Sequence, residues 1–150
     1  MKKWVSSTTE RVPQHTCEKI NKRIRACTVC RIHLLQDGSK EELTNRIQEL
    51  DEEWDTERVL EANAGMLITT ASLAGYMKRK CPCFLFTGVV GYCLLQHAVQ
   101  GWCPSIPFLR RAGIRTAKEI QDEKTVMKLM RGDFMQGIGD PDEMLRMAEM

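Results

Sequence analysis

The sequence predicts an all-α protein: two amphipathic helices, a two-helix membrane hairpin, then a capped C-terminal helix. Three observations lead there. Apolar side chains recur at helical spacing through the first 60 residues. Two charge-free runs flank the tripeptide Lys78-Arg79-Lys80. No strand-like alternation of useful length occurs, and no internal repeat or low-complexity tract. The 150 residues carry 22 basic and 20 acidic side chains, a net charge of +2 and a hydrophobic share of 43%. The mean hydropathy is −0.34. These averages exclude a polytopic transporter and argue against disorder. So small a net charge leaves no nucleic-acid footprint, and no nucleic-acid partner is expected. The averages conceal an asymmetry, because almost every charge lies outside residues 62–109.

Residues 1–15 are polar and lack an apolar core. Lys2 and Lys3 resemble the start of a secretory signal, but no apolar run follows, so a flexible lead-in without cleavage is expected. Residues 16–36 read as a helix. Thr16 is placed to cap it, and Ile20, Ile24, Cys27, Arg31 and Leu35 share a face. Lys19, Lys22, Arg23, Arg25 and Arg31 make it basic, and Asp37-Gly38 stops it. A second helix is expected from Ser39 to about Leu60. Ser39 and Glu42 form a capping box. Leu43, Ile47, Leu50 and Trp54 form its apolar stripe, and Glu49, Asp51, Glu52, Glu53, Asp55 and Glu57 make it acidic. Residues 16–61 would then be a helical hairpin of complementary charge, each exposed pair contributing little.

The composition changes at Ala62, where a membrane domain is expected over residues 62–116. Ala64–Met77 and Cys81–Leu109 carry no charge. A helix needs roughly 20 apolar residues to cross a bilayer core. The first run is marginal unless its helix continues back through Asn63 and Glu61; the second is long enough. Pro82 suits the first turn of the second helix. Ala71, Gly75, Gly88 and Gly91 are small residues that would let helices approach closely in lipid, within the hairpin or between two copies. The competing reading is a buried hairpin of a soluble bundle, since Thr69, Thr70, Ser72, Gln96, His97 and Gln100 interrupt the apolar runs. The dense basic turn favours lipid, because three charges between uncharged runs fit a loop at the head-group level. Basic residues at the outer flanks (Arg58, Arg110, Arg111, Arg115, Lys118) outnumber the three in the turn, which favours cytoplasmic termini.

Pro104, Pro107 and Gly113 are expected to end the second apolar helix. Residues 117–150 form a C-terminal helix and tail. Thr116 with Glu119 is a second capping box, the helix runs to about Arg131, and Gly132 ends it. Gly137 and Gly139 make a joint before a last short helix over 144–150, started by Asp140-Pro141.

The seven cysteines cannot all pair within the chain, so a closed disulfide framework is not expected. Cys27-x-x-Cys30 with Cys81 and Cys83 would supply four thiolates for zinc. Against this, the first pair lies mid-helix and reads as small apolar residues on a helix face. His97 in an uncharged helix is a functional candidate by default; the simpler reading has it near the interface, bonded to Gln100 or backbone. Trp102 fits an interfacial aromatic position, and Cys103 beside it is the candidate reactive thiol. No phosphate loop, nucleophile elbow, zinc-protease motif or dinucleotide fingerprint occurs. No catalytic residue and no cofactor are therefore expected.

The stretch Leu95-Gln96-His97-Ala98-Val99-Gln100-Gly101-Trp102-Cys103-Pro104, with Phe108-Leu109-Arg110-Arg111-Ala112-Gly113-Ile114-Arg115-Thr116, resembles the C-terminal half of the YgaP-like inner-membrane transmembrane domain. That family pairs two short membrane helices with a Gly-aromatic-Cys-Pro element, matched here by Gly101, Trp102, Cys103 and Pro104. A tail ending in Gly-Ile-x-Thr follows, matched by Leu109, Gly113, Ile114 and Thr116. Longer members also resemble this chain in the acidic helix Leu50–Glu61 and in Met130-Arg131-Gly132-Asp133-Phe134, so the likeness runs over roughly residues 16–134. The resemblance implies residence in the bacterial inner membrane. It implies no activity, since the family is defined without one. Some members are fused to a rhodanese; no cysteine here begins a Cys-x-x-Gly-x-Arg loop. Cys81, Cys83 and Cys93 have no counterpart in the pattern. Three functions follow as expectations: a membrane anchor or adaptor without catalysis, with the bilayer and a second copy or another protein as partners; a thiol-based sulfur or redox carrier using Cys103 with Cys93; or a soluble metal-binding bundle.

Overall fold

Residues 9–78 and 81–135 are described by the computed structural model. In chain order they form α1 (Arg11–Gln14), α2 (Glu18–Leu34), α3 (Lys40–Glu52), α4 (Thr56–Lys78), α5 (Cys81–Gln100), α6 (Ile106–Arg111) and α7 (Ala117–Arg131), then a 3-10 turn (Asp133–Met135). The class is all-α, with no strand among the described residues. The expected helix over 144–150 and the joint at Gly137 and Gly139 lie outside the described residues.

Two compact units are built from interleaved pieces of chain. One combines Met1–Ile24 with Trp54–Lys118, the other Arg25–Glu53 with Glu119–Met150. Residues 25–53 thus share a unit with residues that follow 118. Leu43, Ile47 and Leu50 of α3 bury their stripe against Ile120 and Met127 of α7, with Ile32 and Leu35 at the edge. A two-helix hairpin could not enclose that stripe alone.

The second unit also buries an acid. The Glu123 side chain is wholly inaccessible. It accepts from Arg46 Nε at 3.0 Å and Nη2 at 2.8 Å, with Arg31 3.9 Å away. A buried carboxylate is tolerated only when paired in this way. The α3 contributor is thus a base, and α2 and α3 each bring an arginine to a carboxylate of α7. Burial, and next the positive charge of Lys124, lower the Lys128 amine below its ordinary value.

Several local expectations hold. Ser39 accepts from the Glu42 amide while Glu42 accepts from the Ser39 amide, completing the box at α3. The α7 helix ends at Gly132, whose φ of 91° suits glycine. Others are corrected. The expected flexible lead-in carries α1 at its end, with Val12 only 3% exposed. Thr16 does not cap α2; its hydroxyl donates to the Val12 carbonyl. The helix expected to run from Ser39 to Leu60 is two helices. Glu53 adopts an extended conformation, and Asp55 accepts from the Arg58 amide at 2.7 Å, capping α4 afresh. Trp54 consequently leaves the apolar stripe. It is exposed, with the Arg58 guanidinium 4.5 Å over its ring.

Candidate membrane hairpin and the polar network at its open end

The new cap at Asp55 changes the arithmetic of the first apolar run. Helix α4 has 23 residues, so the marginal segment Ala64–Met77 is carried on a helix about 34 Å long. Its partner contains the described stretch that is long and apolar enough to cross a membrane. That stretch is Pro82–Gln100, of which 6% is buried within the protein. Phe84, Leu85, Phe86, Val89, Tyr92, Leu95 and Val99 of α5 are all exposed, as are Met66, Leu67, Leu73, Tyr76 and Met77 of α4. A soluble bundle would bury such side chains, and a patch of this extent marks an interaction surface.

Helices α4 and α5 pack on each other. At Gly75, which is buried, a Cβ would stand 3.0 Å from Cys83 Cβ and 3.1 Å from the Phe84 ring. Glycine there permits the close approach expected of small residues in lipid. Gly88 and Gly91 do not share that role, because a Cβ at either meets nothing within 4 Å. Ala71 is half-buried. Further along, a cavity of about 140 Å³ opens between the helices, lined by Leu60, Asn63, Ala64 and Leu67 on one side and by Val89, Val90, Cys93 and Leu94 on the other. Cys103, Pro104 and Ser105 close its end.

The second apolar helix stops earlier than its prolines suggest. Gly101, with φ 74°, donates to the His97 carbonyl at 2.7 Å and turns the chain. Pro107 instead lies in the first turn of the short α6. Along Gly101-Trp102-Cys103-Pro104 the side chains separate sharply. Trp102 is exposed, whereas Cys103 is 3% exposed and packs with Val12, Leu60 and Ile106. Its Sγ lies 3.7 Å from Ser105 Oγ.

His97 is 4% exposed. Its partner is neither Gln100 nor backbone. The Nε2 group donates to Glu57 Oε2 at 2.7 Å, joining the foot of α4 to the end of α5. Arg11 Nη2 donates to Glu57 Oε1 at 2.9 Å, and Nη1 to the Ala98 carbonyl at 3.1 Å. Burial pushes the Glu57 carboxyl upward, but the hydrogen bonds and charges of His97 and Arg11 outweigh it and hold the group below its ordinary value. Arg11 and Glu57 were not singled out from the sequence. The available signal was a histidine in an uncharged helix, which needs a partner, and an acidic residue about two turns before the charge-free run of α4.

A second set of bonds ties the neighbouring elements down. Thr56, fully buried, donates its amide and hydroxyl to the Arg115 carbonyl at 2.8 Å each. The buried Arg110 donates to the Ile114 carbonyl at 3.1 Å and to Asn21 Oδ1 at 2.9 Å. Asn21 in turn donates to the Pro13 carbonyl. Arg110, one of the charged residues that flank the apolar runs, is thus a structural bolt and not a surface charge.

Of the four zinc candidates, the side chain of Cys81 lies outside the described residues. Cys27 and Cys30 are exposed on α2. Among the described residues no three His, Cys, Asp or Glu side chains converge. The cysteines described are free thiols.

Residues 55–119 match the family model described as the inner membrane protein YgaP-like transmembrane domain. The match is narrower than the likeness read from the sequence. It opens at Asp55, the residue that caps α4, and closes in the first turn of α7. Neither a curated protein nor a solved structure matches the chain. Over residues 55–119 the chain is therefore similar to the YgaP-like transmembrane domain of inner membrane proteins.

Proposed function

We propose that the protein is a membrane-anchored helical adaptor without catalysis of its own. The hairpin of α4 and α5 sits in the bilayer with both termini in the cytoplasm, and the remaining helices present charged surfaces to a protein partner there. The observation that carries this reading is the outward apolar surface of α5, since only 6% of the stretch Pro82–Gln100 is buried. Gly88 and Gly91, with open space beside them, suit a second copy of the hairpin as a neighbour. Carbonate extraction of cell membranes tests the anchor. The protein should stay in the pellet and enter solution only with detergent; release by carbonate alone would sink the reading.

One observation favours a second reading, a thiol-based carrier. Cys93 and Cys103 line the same cavity, which would keep a sulfur species away from water. Neutral-pH alkylation of intact membranes separates the two. A carrier requires Cys103 to react first, and purified protein to lose a sulfur-processing activity on Cys103→Ser. An anchor leaves the buried Cys103 the slowest to label.

A further inference from the structure

The short α6 follows the apolar helix by five residues, and its two faces differ. Ile106 and Arg110, one turn apart, are completely buried. Phe108, Arg111 and Ala112 point the opposite way and are exposed, Phe108 by 69%. Trp102, just before, is exposed as well. An outward aromatic next to an outward arginine, at the end of a membrane helix, is the composition of an interfacial surface. A second cation joins it from α2. Arg23 Nη2 donates to the Arg111 carbonyl at 2.6 Å, which fixes the Arg23 guanidinium beside the end of α6. Lys19 lies one turn earlier on α2 and is also exposed. Other cations of this unit are committed elsewhere: Arg11 to Glu57, Lys22 to Glu18 and Lys118 to Glu10. Among the described residues, neither Arg23 nor Arg111 is ion-paired with a carboxylate.

We propose that Arg23 and Arg111, with Lys19 beside them and the rings of Phe108 and Trp102 in the acyl boundary, form a binding site for the head group of an anionic phospholipid. The proposal rests on the hairpin lying in the membrane. Two features select this occupant. The site is continuous with the apolar surface of α5, so its cations stand where phosphates stand. Its two guanidiniums also present planar forks of donors suited to phosphate oxygens. A neutral phosphatidylcholine offers the phosphate but adds a choline cation that two arginines repel.

Native mass spectrometry of the detergent-solubilised full chain, titrated with phosphatidylglycerol and separately with phosphatidylcholine, tests the site. Phosphatidylglycerol adducts should form with about thirtyfold higher affinity, which is about 2 kcal/mol, or about 1 kcal/mol for each arginine near such a head group. The double variant Arg23→Gln/Arg111→Gln should remove the preference, and Arg23→Lys/Arg111→Lys, which keeps the charge, should retain part of it. The Gln variant must keep the wild-type helical circular dichroism for its loss to count. Equal affinity for both lipids in the wild type, or an unchanged preference in a folded Gln variant, would overturn the proposal. So would full displacement of the lipid by millimolar inorganic phosphate, which would make the occupant a free anion. Failure of the wild type to enter neutral bilayers is a different result, since it removes the membrane hairpin itself.

Discussion

Arg11 illustrates how much a single side chain can carry when it lies where elements meet. Its guanidinium bridges Glu57 and the Ala98 carbonyl, and its aliphatic stem fills the space against Gly101. A Cβ at Gly101 would clash with Arg11 Cβ. Glycine is demanded twice at this position, by φ 74° and by that contact. Gly101→Ala should therefore cost more than the about 1–2 kcal/mol of a left-handed alanine alone, since Arg11 must also move. Thermal unfolding in detergent measures it, and Gly88→Ala, with open space around it, serves as the tolerant comparison. Glu57 gives a pH signature. Its carboxyl is held below the ordinary value in the folded state, so the unfolded chain binds the proton first as pH falls. The stabilisation is then fully present above the usual carboxylate range and is lost as pH drops through the lowered folded value. Glu57→Gln should destabilise by about 1–3 kcal/mol at neutral pH and flatten the acid limb of a plot of unfolding temperature against pH. An unaltered acid limb in that variant would show that Glu57 does not supply it.

At the scale of elements, the deciding feature is the three-residue interruption at Glu53–Asp55. It ends α3, restarts the helix under a new cap and gives the hairpin's first helix its length. Asp55→Ala removes the bond to the Arg58 amide and should cost about 1 kcal/mol. The loss should appear as faster hydrogen exchange confined to the first turn of α4, with α3 unaffected. Why the break was not legible in the sequence is instructive. Leu43, Ile47, Leu50 and Trp54 keep helical spacing across it, and periodicity alone cannot reveal that the fourth member points elsewhere. What ends the helix is Asp55 outcompeting continuation locally, together with Thr56 donating to the distant Arg115 carbonyl. Features set by neighbours in sequence were readable: the Ser39–Glu42 box, the stop at Gly132, and the small residue at Gly75. Features set by distant pairings were not. They include the Glu57–His97 bond 40 residues apart, α1 held by Val12 and Arg11, and Glu123 drawn into the α3–α7 core.

For the whole molecule, the open question with the largest consequence is which side of the membrane each helix faces, and the cysteines already mark it. Cys27 and Cys30 are exposed on α2, within residues that precede the hairpin. Cys83 lies at the start of α5, three residues after Lys80 in the sequence. A hairpin that enters and leaves by the same face must put these two groups on opposite sides. The flanking arginines are the more numerous cations, and basic segments are retained in the cytoplasm. In a background that keeps only Cys27 and Cys30, a membrane-impermeant maleimide should label inverted vesicles and leave intact spheroplasts unlabelled. In one that keeps only Cys83, the pattern should reverse. The paired measurement separates three arrangements. Labelling of both sets from one side contradicts a spanning hairpin and fits helices lying on one face. The opposite pattern in each preparation keeps the hairpin but inverts it, which would place Arg23 and Arg111 against the outer leaflet. Only the first pattern unites the charge distribution, the length that α4 gains from Asp55 and the exposed face of α5 in one arrangement.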